Sequence, residues 1–129
     1  MKNLNFKQEL QEILNDKDHE VRKQYKTCDC ECPLSNTIIP ILFQHICIRF
    51  EVPEEMKNKG LEFWTKLNQI SCAVIQGKNR IYVASALFYI SAILTGNKQY
   101  TQEFIRQNIG IPPITIRNIY KPMCEVLSI

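Results

Sequence analysis

The sequence predicts an all-α domain, and three observations carry that expectation. Apolar residues recur three and four positions apart through successive segments. No stretch alternates apolar and polar residues for more than a few positions, as strands would. Glycine is scarce, at 4 in 129 residues, which suits helices joined by short turns. An apolar share of 45% with 22% charged residues belongs to a chain that folds on a core, and the length suffices for one domain.

Over residues 3–26, Phe6, Leu10, Ile13 and Leu14 fall at helical spacing, followed by Val21 and Tyr25. An amphipathic helix is expected, with a break at the polar Asn15-Asp16-Lys17-Asp18 run. The polar, cysteine-rich KTCDCECPLSN reads as a linker in which Pro33 acts as a stop. Residues 1–34 are therefore taken as an N-terminal helical extension and linker, and 35–129 as the main domain.

Five helices are expected in that domain. The first covers 36–50 and carries Ile38, Ile39, Leu42, Phe43, Ile46 and Phe50, with Pro40 in its first turn. The second starts at Pro53, where Glu54 and Glu55 suit the positive end of the helix dipole, and runs to about Gln76. It buries Met56, Leu61, Trp64, Leu67, Ile70 and Val74 and is closed by Gly77. The third opens at Asn79 or Arg80 and ends at Gly96. It is apolar nearly all round, so other helices should surround it. Thr101 caps a short fourth helix, TQEFIRQN. After the Ile109-Gly110-Ile111 turn, Pro112-Pro113 opens a fifth, ITIRNIY. Pro122 should shorten or kink that last helix, because it removes a donor and crowds the preceding turn.

Several function classes lack support. There is no glycine-rich phosphate loop, no HExxH and no Ser/His/Asp order, so an enzyme is not expected and no cofactor is implied. No apolar run approaches the roughly 20 residues of a membrane span. The charged N-terminus is unlike a signal peptide, so the chain is expected to stay in the compartment where it is made. Cys47, Cys72 and Cys124 sit in apolar stretches and read as reduced, buried thiols. Cys28, Cys30 and Cys32 alternate by one residue, unlike the wider pairs of structural zinc sites. A metal reading would also need His19, His45 or Cys47, and an inert linker is the simpler expectation. His45 reads as a packed or capping residue, and Phe63, Trp64, Phe88 and Tyr89 as core.

Net charge is +3, and its distribution is informative. Residues 1–78 balance, whereas beyond them Arg80, Lys98, Arg106, Arg117 and Lys121 face only Glu103 and Glu125. The whole excess lies in the C-terminal part, a modest electrostatic footprint. There, TQEFIRQNIGIPPITIRNIYK reads as helix, glycine turn, helix. A positive φ at Gly110 would let the two helices cross steeply, as in a helix-turn-helix. Ile116 and Ile119 would face inward, leaving Thr115, Arg117, Asn118 and Lys121 outside. Such residues can meet base edges in a major groove, and Lys121 and Lys98 suit phosphates. The same spacing also suits a plain solvated face.

ITIRNIYK resembles the recognition-helix motif of archaeal transcription factor B and eukaryotic transcription factor IIB, a V-T-I/V-R-N-R-Y-K pattern. IPILFQHICIRFEVPEEMKNKGLEFWTKLNQ and GKNRIYVASALFYISAIL are similar to the first two helices and the central helix of that family's cyclin-type repeat. The resemblance spans roughly 36–127. It implies a cyclin-like five-helix domain ending in a helix-turn-helix. It also implies a transcription initiation factor or regulator that binds promoter DNA, with TATA-binding protein and RNA polymerase as partners. On the recognition helix the matched positions are Ile114, Thr115 and Arg117, with Gln102 capping the preceding helix; Lys78, Asn79 and Arg80 match a junction that touches phosphates. Such a factor would work in the cytoplasm or nucleoid of an archaeal or virus-infected cell, or in a eukaryotic nucleus. One repeat is present where the family usually has two, and no CxxC…CxxC ribbon precedes it. The rival expectation is a cyclin-box module that binds protein and not DNA, through 36–50 and 53–76, with Lys57 and Lys66 on that surface.

Overall fold

The structure is a computed structural model and describes residues 6–16, 32–70 and 78–127. Among these residues every regular element is a helix: α1 over 6–16, α2 (Cys32–Arg49), α3 (Glu54–Ile70), α4 (Arg80–Thr95), α5 (Gln102–Asn108) and α6 (Pro113–Val126). The all-α expectation holds, with α4 at the centre, packed on α2, α3, α5 and α6.

Helix α4 starts and stops where its sequence dictates. The Asn79 side-chain oxygen accepts from the backbone N–H of Ile81 at 2.9 Å and of Tyr82 at 3.2 Å, satisfying two donors that the first turn leaves over. At the other end Gly96 takes φ 74°, and the N–H of Asn97 bonds the Ala92 carbonyl at 2.9 Å. Ten of the sixteen residues between are buried. They include Ser85 and Ser91, whose hydroxyls donate to the carbonyls of Ile81 and Leu87 one turn back. Ile93 departs from the all-round apolar expectation by being exposed.

Helix α2 corrects two expectations. Pro33 does not stop the chain; it lies in the first turn of α2, where a missing N–H costs nothing. Pro40 is mid-helix rather than in the first turn. It deprives the Asn36 carbonyl of its bond, and packing offsets that loss: Ile38, Ile39, Leu42, Phe43, Ile46 and Cys47 are all buried. His45 is exposed, on the outer face with Ile48, and is neither packed nor a cap. Burial pushes the Cys47 thiol up to about 12, so it stays protonated and inert at neutral pH.

The corner after α2 is a Schellman turn. The Val52 N–H bonds the Cys47 carbonyl and the Glu51 N–H that of Ile48, both at 3.2 Å. Its left-handed position is held by Glu51, at φ 50°. Glycine avoids the clash of a side chain there, worth roughly 1–2 kcal/mol, and returns about 0.5–1 kcal/mol through the freer unfolded chain. Glu51→Gly is therefore expected to raise stability by about 0.5–1 kcal/mol. Urea titration measures this, and a lowered midpoint would show that Glu51 makes a compensating contact.

Helix α3 begins at the carbonyl of Pro53, which accepts from Met56 and Lys57. It buries Met56, Gly60, Phe63, Trp64 and Leu67. Leu61 is half-buried, and Ile70, expected in the core, is 60% exposed. The expected extension to Gln76, with Val74, Gly77 and Cys72, lies outside the described residues, as do Cys28, Cys30, Val21, Tyr25 and His19. Cys32 lies in α2, but its side chain is not among those described. Asn15 and Asp16 are still helical; Lys17 and Asp18 lie outside.

Helix α1 buries Phe6, Leu10 and Leu14 on the domain. The Phe6 ring meets Phe50 edge-on at 5.5 Å, and Phe50 meets Phe104 at 5.0 Å. Phe88 and Tyr100 complete the cluster, 5.2 Å apart, with Tyr100 5.1 Å from Phe104. Edge-to-face rings at these separations add directional packing to their area burial. The cluster joins α1, the α2–α3 corner, α4 and α5, and so fixes where α5 sits.

Candidate nucleic-acid interface

The C-terminal helix pair is positioned from inside. Thr101 precedes α5 in extended conformation, and its hydroxyl oxygen accepts from the Phe104 N–H at 3.1 Å. Thr101 is thus the cap, and Gln102, expected in that role, is not. Gln102 instead donates from Nε2 to the Tyr89 hydroxyl on α4 at 3.2 Å. In the turn, Ile109 and Ile111 are fully buried on either side of Gly110, which takes φ 87°. Two buried anchors flanking a left-handed glycine leave the chain little choice of direction as it enters α6. Pro112, extended, and Pro113 then open α6, the latter at a position where no donor is needed.

Helix α6 is amphipathic. Ile116, Ile119 and Met123 are buried, and Ile114, Arg117, Asn118, Lys121 and Glu125 are exposed. Positions 114, 117, 118 and 121 share one face of the helix. Thr115 is half-buried at the edge of that face. Among the described residues neither Arg117 nor Lys121 has an ion-pair partner, so both charges are available. Pro122 does not cut the helix short; α6 runs four residues past it, to Val126, with buried Met123 holding the last turn in place.

Arg106 on α5 is a different case. It is paired with Glu103, which also accepts from Gln107 at 3.1 Å. The hydrogen bond from Arg106 holds the Glu103 carboxyl below its usual range. The outer side of α5 is therefore close to neutral, and the unpaired charge of the helix pair sits on α6.

Three contacts show that α4 and α6 run side by side in the same direction. Lys7 on α1 lies between Tyr82, in the first turn of α4, and Gly110, just before α6. Midway, the Tyr89 and Tyr120 rings meet edge-on at 5.0 Å, and burial raises the Tyr120 phenol. Near the far end, Leu94 and Leu127 line one groove. The exposed Lys78 and Asn79 and the half-buried Arg80 thus lie at the same end of the molecule as the start of α6. The Asn79 oxygen is committed to its cap. Lys98 follows Gly96, at the other end of α4, about 24 Å away at 1.5 Å per residue. The structure gathers Ile114, Arg117, Asn118 and Lys121 on one surface, sets Lys78–Arg80 beside its N-terminal end, and leaves Lys98 apart. Among the described residues no cluster of ligating side chains could hold a metal, and no helix is long and apolar enough to cross a membrane.

Comparison with known proteins agrees with the sequence motif. The chain is 30% identical over 83 residues to transcription initiation factor IIB 1 of Thermoplasma volcanium, covering 64% of this chain and 26% of that protein. It is 37% identical over 78 residues to transcription initiation factor IIB of Methanopyrus kandleri, covering 60% of this chain and 24% of that protein. The factor of Methanosarcina mazei aligns over 123 residues at 27% identity, covering 94% of this chain and 36% of the relative. The chain thus spans about a quarter to a third of the length of these relatives. No family model matches it, and no solved structure matches it significantly. The chain is thus similar in sequence to several archaeal transcription initiation factors IIB, and every regular element among its described residues is a helix.

Proposed function

We propose that residues 35–129 form a cyclin-like repeat of the factor IIB type, and that α5 and α6 act as a helix-turn-helix on promoter DNA. The observation that carries this reading is the outward stripe of Ile114, Arg117, Asn118 and Lys121 on α6, directly after a turn pinned by two buried isoleucines. In such a docking the early turns of α6 lie in the major groove. Arg117 reaches guanine O6 and N7, Asn118 reaches adenine, and the Ile114 side chain and the half-buried Thr115 meet thymine methyls. Lys121, Lys78 and Arg80 take phosphates, which set register without reading sequence. Gln102, held by Tyr89, braces α5 against α4 rather than meeting a base. Factor IIB relatives are the basis for naming TATA-binding protein and RNA polymerase as partners and for a non-enzymatic role.

A gel-shift series with promoter-like duplex, with and without TATA-binding protein, tests the proposal. With those three phosphate contacts, log K should fall against log salt with a slope of about −2.7. TATA-binding protein should raise the affinity. The exposed Ile48 on α2 and Ile70 on α3 favour a second reading, a protein-binding module without DNA contact. Under that reading no duplex shift appears at any salt, and partner binding responds to Lys57 and Lys66 rather than to Arg117.

A further inference from the structure

Helix α1 lies outside the segment whose motifs point to DNA, yet it packs beside the α5–α6 turn. The Lys7 Cδ sits 3.9 Å from where a side chain on Gly110 would begin. Its Nζ lies 5.5 Å from the centroid of the Tyr82 ring, in the first turn of α4. Lys7 is half-buried and, among the described residues, has no carboxylate partner. At 100° per residue Glu9 and Glu12 point about 160° and 140° round the helix from Lys7, while Gln11 follows it at about 40°. The edge of α1 that borders the turn thus carries Lys7 and Gln11, and the acids face elsewhere.

From this placement we propose that Lys7 is a DNA phosphate-binding residue, delivered by α1 to the end of the molecule where α4 and α6 both begin. The Lys7 ammonium sits over the Tyr82 ring, in the first turn of α4, the helix start that Lys78 and Arg80 also occupy. Two elements far apart in sequence, α1 and the start of α4, then supply cations beside the groove-facing helix. The burial of Phe6, Leu10 and Leu14 keeps α1 seated, so Lys7 needs no ordering on binding. The inference rests on the reading of α6 as the groove helix.

Salt titration of duplex binding tests it with Lys7→Gln, Lys7→Arg and, as a distant control, Lys66→Gln. Lys66 is paired with Glu62 on α3. Lys7→Gln should weaken binding to every duplex by a similar factor and reduce the steepness of log K against log salt by about 1. Lys7→Arg should restore the slope, whereas a purely structural role would give a change in thermal stability with the slope intact. Lys66→Gln should leave binding as in the parent. If the parent binds duplex and Lys7→Gln keeps the parental slope, the Lys7 assignment is overturned while the α6 reading stands. If the parent binds no duplex, both fall together.

Discussion

Replacing Gly60 with alanine should destabilise the protein by about 2–3 kcal/mol, despite alanine being the better helix former. A Cβ at Gly60 would stand 2.2 Å from the Ser91 Oγ on α4 and 2.3 Å from the Phe43 Cζ on α2. Both neighbours are fully buried, and Ser91 is tied back to the Leu87 carbonyl at 2.8 Å. Neither can move without disturbing a packed helix. In an open helix the same substitution gains about 1 kcal/mol from propensity. The sign of the change therefore measures how closely α3 approaches the other two helices. Denaturant titration or a melt reads it, with a midpoint drop of roughly 10 °C expected for a chain of this size. Phe43→Leu should offset part of the loss when combined with Gly60→Ala. The double variant should be more stable than the sum of the single losses by about 1 kcal/mol or more. A stabilised Gly60→Ala would show that the three helices do not meet there.

That close approach was not legible in the sequence, and the reason is physical. A glycine inside a helix pattern states only that something is unusual; which side chains crowd it depends on where two other helices lie. The ends of α4 were legible because single residues set them, Asn79 by accepting backbone donors and Gly96 by taking a left-handed backbone. Thr101 and Gly110 were readable for the same reasons. The start of α2 was not, because Pro33 and Pro40 both suit a first turn, and burial around Ile38 and Ile39 decides between them. Ile70 looked like core from spacing alone, yet it lies on the open side of its helix. His45 likewise sits opposite the buried stripe that Leu42, Phe43, Ile46 and Cys47 define.

The candidate interface divides in the same way. Its face on α6 follows from one helix and its period, so Ile116 and Ile119 inward and Arg117, Asn118 and Lys121 outward were readable. Contributions from other elements were not. Gln102 was expected to cap, and the hydroxyl of Tyr89, thirteen residues earlier, takes its side chain instead. Lys98 and Lys78 look equivalent as single cations, but a sixteen-residue helix separates them. Lys7 carried no signal, since its place depends on how α1 docks.

Arg117→Ala offers the sharpest separation between base reading and bare charge. Arg117 is the fifth residue of α6, exposed and without an ion-pair partner among the described residues. Its removal should leave thermal stability within about 0.5 kcal/mol of the parent. On the preferred duplex the loss should be about 1–3 kcal/mol, from several-fold to more than a hundredfold in Kd. On unrelated duplexes the loss should be much smaller, because only the phosphate share of the charge disappears there. Arg117→Lys sharpens the comparison: it keeps the charge and hence the salt slope, but loses the planar fork that spans guanine O6 and N7. Discrimination should therefore fall in Arg117→Lys nearly as far as in Arg117→Ala, while non-specific binding stays at the parental level. An equal loss on every duplex, restored by lysine, would place Arg117 on the backbone. The reading of sequence would then have to come from Asn118, Thr115 and Ile114.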